Sequence, residues 1–139
     1  MSARLTLTVI VAGALLLPSS AAAATKNGIT PLAPKTGKSM PAGKSVTFKL
    51  RVRGKGPVYV HVCKARKKNK NGVLCDKAAG GRARKNGGSY RYTSTFTDFP
   101  AFWLNNPGTY YWQAHRVACE GSLSDCRQEA PIVRFRVAG

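Results

Sequence analysis

This chain is short of acid. Five Asp and Glu residues stand against 23 Lys and Arg, a net charge of +18 over 139 residues. Histidine is scarcer still, at two. Acid–base and nucleophilic catalysis need a carboxylate, an imidazole or an activated nucleophile held beside a partner. The scattered carboxylates and two histidines form no such pairing in sequence, and no nucleophile stands in a turn beside a base. Metal ligation is short of material too, because the four cysteines include no Cys-x-x-Cys pair. Gly80-Gly81 and Gly87-Gly88 precede no helical pattern and carry no Lys-Ser/Thr, so neither is a phosphate cradle. The expectation is a non-catalytic protein with no cofactor and no metal; a small secreted enzyme is the outside alternative.

Long apolar runs are missing as well. The longest, residues 5–17, covers 13 residues, short of the roughly 20 that span a bilayer. Arg4 precedes it, Pro18-Ser19-Ser20 breaks it, and Ala21-Ala22-Ala23-Ala24 follow. That order is a secretory signal ending in small residues. Residues 1–24 are therefore expected to be a signal peptide and 25–139 a single secreted or envelope-associated domain, with no transmembrane segment in the mature chain. Export would place Cys63, Cys75, Cys119 and Cys126 in an oxidising compartment, where an even count means disulfides. Three pairings are open on count alone.

What is present is alternation. Over 45–53, Val46, Phe48, Leu50 and Val52 alternate with Thr47, Lys49, Arg51 and Arg53, giving one apolar and one cationic face. A helix would scatter these apolar residues around its circumference. Val58, Val60 and Val62 repeat the pattern against Tyr59, His61 and Cys63. Residues 89–96 read as a strand with Tyr90, Tyr92 and Phe96 inward, and 132–137 as the last strand, with Arg134 and Arg136 outward. A short edge strand is expected at 29–32, where Pro31 is tolerated. The apolar stretch 98–104 is expected to fold under one end as a plug. Repeated strand patterns separated by turn signals, with no long helical pattern, argue for an antiparallel β-sandwich.

The most specific stretch is Pro107-Gly108-Thr109-Tyr110-Tyr111-Trp112-Gln113-Ala114, a Pro-Gly turn opening an aromatic, alternating strand over 109–118. With Leu104 six residues before Tyr110, it resembles the tyrosine corner of fibronectin type III and related immunoglobulin-like domains, where Leu-x-Pro-Gly-Thr-x-Tyr opens the sixth strand. Here one residue is added before the proline and one lost after the threonine. The resemblance implies an all-β, two-sheet antiparallel sandwich of about seven strands, of the kind found in bacterial secreted proteins. Leu104, Tyr110 and Trp112 would form the structural corner, with Tyr110 donating its hydroxyl to nearby backbone. It further implies that the strand ending at Cys63 and the strand ending near Cys119 are antiparallel neighbours, which sends these two cysteines to opposite poles. Bridged Cα atoms must lie within about 7 Å, so the architecture favours Cys63–Cys75 and Cys119–Cys126.

A fold of this kind hosts many functions, so function must be read from sites. A net charge this positive draws the chain to anionic surfaces. The densest cluster is a basic loop over 64–85, carrying Lys64, Arg66, Lys67, Lys68, Lys70, Lys77, Arg82, Arg84 and Lys85 against Asp76 alone. Binding an anionic polymer would release its counterions. The expected partner is an anionic cell-envelope polymer or polysaccharide, reached through this loop and through basic sheet faces. Without interleaved aromatics the loop is no single-strand platform, and nucleic acid would be held non-specifically in vitro. The alternative is a protein–protein adhesion module. It would use Tyr59, His61, Tyr111, Gln113 and His115, which share one exposed sheet face if their strands are neighbours.

Overall fold

The computed structural model of the protein describes residues 23–66, 74, 79–94, 106–119 and 126–139. Most of the expected signal segment, Lys67, Lys68, Lys70, Cys75, Lys77, Phe96, the 98–104 plug and Leu104 lie outside the described residues. Every regular element among those described is a strand: β1 (Ile29–Ala33), β2 (Ser39–Pro41), β3 (Val46–Val52), β4 (Val58–Cys63), β5 (Ala79–Asn86), β6 (Ser89–Ser94), β7 (Gly108–Val117), β8 (Arg127–Glu129) and β9 (Val133–Ala138). Among the described residues no helix is long and apolar enough to cross a membrane.

The strands are ordered β1-β3-β6-β5-β4-β7-β9-β2, with β8 added beside β7. Pairing is antiparallel except between β2 and β9. The sheet curls so that β1, β3 and β6 face β4, β7 and β9 across one core. β5 joins the two layers. Its first half pairs with β4, from Val62↔Ala79 to Val58↔Ala83, and its second half pairs with β6, from Arg84↔Arg91 to Asn86↔Ser89. A strand that switches sheets in this way makes a corner, so the two layers are joined as well as stacked. Among the described residues nine strands are present, two of which, β2 and β8, are three-residue additions to the expected seven or so.

The alternation seen in sequence becomes the core directly. Val46, Phe48 and Leu50 from β3, the three β4 valines, Tyr110, Trp112 and Ala114 from β7, and Val133, Phe135 and Val137 from β9 are all buried. Phe48 sits at the centre, with Trp112 edge-on at 5.4 Å and Phe135 at 6.0 Å from the facing layer. Buried aromatic pairs of this geometry contribute about 0.5–1.5 kcal/mol beyond their area. The indole N–H of Trp112 is satisfied by the Pro34 carbonyl at 3.0 Å.

The double glycines serve packing and turning. A side chain on Gly81 would drive into the Tyr92 ring, so glycine there lets β5 close on the neighbouring layer. Gly87 has a φ of +57° and turns the two-residue link between Asn86 and Ser89, where such values are required.

Candidate anion-binding surface

Two outer faces carry the polar residues. The first lies on β4, β7 and β8. Antiparallel pairing sets Tyr59 opposite His115 and His61 opposite Gln113, and β8 brings Glu129 opposite His115. The His61 and His115 rings stack at 4.8 Å, with Tyr59 stacked on His115 at 5.3 Å. His61 Nε2 and His115 Nδ1 are 3.1 Å apart, one ring donating its N–H to the other. The Gln113 amide donates to Glu129 Oε2 at 3.2 Å and to the Ala130 carbonyl at 3.0 Å. Arg127 Nε lies 3.7 Å from Glu129 Oε1.

This geometry corrects one expectation. Tyr59, His61, Tyr111, Gln113 and His115 do share a face, but two of the five are not exposed: Gln113 is 2 % and His115 8 % accessible, while Tyr59, His61 and Tyr111 are half-buried. The cause is β8, which extends the sheet beside the second half of β7 and brings Glu129 and Ala130 onto the Gln113 amide. Burial then sets the histidine chemistry. His61 is lowered to about 4 by burial first and by Arg127 second, against the opposing pull of Glu129. His115 is lowered to about 3 by burial, then Arg127, then His61. Both rings are neutral at pH 7. Burial also lowers Arg127, and Glu129 counters it.

The second outer face lies on β3, β6 and β5 and has the opposite character. Lys49 pairs with Arg91 and Arg91 with Arg84. Three cations therefore stand in one row across three adjacent strands, on the side away from Phe48 and Leu50. Arg91 and Arg84 are exposed and Lys49 is half-buried; exposed Arg51 lies two residues along β3. Like charges directly opposite one another oppose sheet formation. Among the described residues no internal counter-charge meets them: Glu129, on the other face, is the only carboxylate side chain there. The threonines of this face are occupied with one another, Thr47 with Thr93 at 3.0 Å and Thr25 with Thr30 at 2.7 Å.

The basic loop is redrawn in part. Arg82, Arg84 and Lys85 belong to β5 rather than to a loop, because glycine at 80 and 81 admits this segment between β4 and β6. With Tyr90 and the Gly56-Pro57-Val58 segment they line an open cleft of about 800 Å³ where β5 leaves one sheet for the other. Lys64 and Arg66 are exposed just beyond β4. Charge density along the chain does not single out Lys49, Arg51 and Arg91, which lie outside the loop. Alternation places them outward, but only the neighbour order β3-β6-β5 aligns them with Arg84.

The corner at the start of β7 is formed. The Tyr110 hydroxyl donates to the Asn106 carbonyl at 2.9 Å, and burial raises its pKa. No family model matches the chain, and no curated protein matches it. Among solved structures, an engineered protein aligns with 80 % of this chain at 14 % identity and a TM-score of 0.51; the chain spans only 20 % of that structure. The fibronectin(III)-like modules of Clostridium thermocellum CbhA align with 78 % of this chain and 93 % of theirs, at 21 % identity and a TM-score of 0.47. The antiparallel layers and the Tyr110 corner decide the architecture. The fold is fibronectin type III-like.

Within this fibronectin type III-like domain, β4 and β7 are antiparallel neighbours, and Cys63 pairs with Tyr111 at the pole opposite Cys119. Cys119 is bonded to Cys126, with Cα atoms 5.4 Å apart. Cys63 is also disulfide-bonded, so a Cys63–Cys119 bridge is excluded. Among the described residues no three His, Cys, Asp or Glu side chains gather in a way that could hold a metal.

Proposed function

We propose that the protein is a secreted or envelope-associated, non-catalytic binding module, held by charge to an anionic polymer. One observation carries this reading: the cations of the β3-β6-β5 face have no carboxylate among the described residues to answer them, Glu129 being committed to the opposite face. A surface that repels itself is relieved by an external polyanion, whose counterions are released on binding. The Cys119–Cys126 bridge agrees with an oxidising compartment. The cations from Lys64 to Lys70 would add to the attraction.

The test is retention of the protein on an immobilised anionic polymer and on its own cell envelope. Retention should be strong at low salt and collapse by several hundred millimolar, where the screening length falls to about 5 Å. Absence of retention at low salt, or retention indifferent to salt, would contradict the reading.

A further inference from the structure

The register of the cationic face carries more than an attraction. Neighbouring strands are about 4.8 Å apart, so Lys49, Arg91 and Arg84, paired across β3, β6 and β5, present positive charge at a regular step of roughly that length. This is close to the length of one sugar ring along a polysaccharide. The third cation of the row, Arg84, also borders the cleft of about 800 Å³ shared with Arg82, Lys85 and Tyr90. A path of cations thus crosses the sheet and ends in a concavity large enough for one or two sugar rings.

The chemistry of the face narrows the partner. No aromatic side chain lies along the row of Thr47, Lys49, Arg51, Arg84, Arg91 and Thr93, and Tyr90 in the cleft is a single ring, so successive bases would find no series of stacking platforms. Among the described residues no helix or projecting ribbon is offered to a duplex groove. No apolar side chain accompanies the cations of the row, so nothing there would insert into a lipid surface. Guanidinium groups bind planar carboxylates and sulfates through paired hydrogen bonds, and two of the three cations in the row are arginines. We infer that a linear polysaccharide bearing a carboxylate or sulfate on successive rings lies across β3, β6 and β5, its charges on Lys49, Arg91 and Arg84 and one end in the cleft beside Tyr90. The inference rests on the polyanion reading above and assigns it a surface, a direction and a ligand class.

The experiment measures equilibrium binding of the full chain to polygalacturonate and to dextran sulfate, with single-stranded DNA as a third probe, over a salt series. The variants are Lys49→Gln/Arg84→Gln/Arg91→Gln and a control, Lys44→Gln/Arg134→Gln/Arg136→Gln, which removes the same charge from elsewhere. Each ion pair removed should lower the log–log salt slope by about 0.7–0.9. The row variant should therefore lose roughly two units of slope and bind either polysaccharide at least tenfold more weakly than the control. The control should stay near wild type. Binding by one polysaccharide alone sharpens the ligand to carboxylate or sulfate and supports the inference. Equal weakening of the two variants would overturn the row while leaving polyanion attachment standing. Tighter, row-dependent binding of DNA would overturn the saccharide assignment. No binding of any probe at low salt would overturn both readings together. Circular dichroism and melting of the row variant guard against misfolding; the single Arg91→Gln change, expected to take about one third of the effect, repeats the test if the triple variant does not fold.

Discussion

The two outer faces of this domain begin as the same sequence pattern and end as opposites. Polar residues alternate with apolar ones in β3 and β6 as they do in β4 and β7. On β4-β7-β8 the outward residues are folded into a packed cluster in which Glu129 meets Gln113 and Arg127, and two neutral histidines stack. On β3-β6-β5 they remain an open row of cations, with no carboxylate partner among the described residues. The difference lies in what covers each face. A three-residue strand, β8, is enough to bury Gln113 and His115, whereas Arg91 stays exposed. Glu129, Gln113 and Arg127 are thus tied to one another on the covered face, while like charges on the other face repel across three strands.

Both faces share one core, so the largest effect should erase the contrast altogether. Trp112→Ala removes the ring that Phe48 packs against and orphans the Pro34 carbonyl. Equilibrium urea unfolding should show a loss of about 3–5 kcal/mol. A loss below about 1 kcal/mol, well under the range for a buried tryptophan, would mean that the two layers do not meet at this residue.

Changes on the faces themselves should have opposite signs. Gln113→Leu strips the Glu129 carboxylate and Ala130 carbonyl of their shared donor, and should cost about 1–3 kcal/mol. At the corner between the layers, Tyr110→Phe deletes the bond to the Asn106 carbonyl and should cost about 1 kcal/mol. Arg91→Gln relieves the like-charge repulsion from Lys49 and Arg84, and should stabilise by about 0.2–1 kcal/mol at low salt. A destabilising Arg91→Gln would show that the open row has an unrecognised counter-charge, and the comparison would fail.

Acid should act on the covered face. His61 and His115 titrate near 6.5 in the unfolded chain but at about 4 and about 3 when folded. Between those values the unfolded state binds more protons. Stability should accordingly be full above pH 6.5 and fall as pH drops toward 3 to 4. Urea midpoints measured at about pH 7, 5.5 and 4 should trace this decline, and His61→Asn/His115→Gln should flatten most of it between about pH 6.5 and 5. An unchanged slope in that window would place the two imidazoles in water.

Much of the fold was legible because strand alternation in a sandwich is a local signal. Val46 to Val52, Val58 to Val62 and Val133 to Val137 each declared their buried side without reference to any neighbour. The Tyr110 corner was legible for the same reason, its turn, hydroxyl and acceptor lying close together in the chain. What sequence could not supply was non-local. Alternation says that Gln113, His115, Lys49 and Arg91 point away from the core, but not which of them another strand then covers. β8 is three residues long, with no apolar alternation to announce it. The β5 segment reads as a glycine-containing basic loop because its place is fixed by the glycines that admit it between β4 and β6, not by apolar residues of its own. The candidate site was therefore legible as a charge cluster but not as a row, since the row exists only once three strands are set in register.

The most direct test of the contrast is a map of backbone amide shifts as polygalacturonate is titrated into the labelled protein at low salt. Perturbations should concentrate on β3, β5 and β6, around Lys49, Arg84, Lys85, Tyr90 and Arg91, and should be reversed by salt. Perturbations centred instead on Tyr59, His61 and Tyr111, with the β3-β6-β5 amides unmoved, would contradict the assignment of the open face as the binding surface.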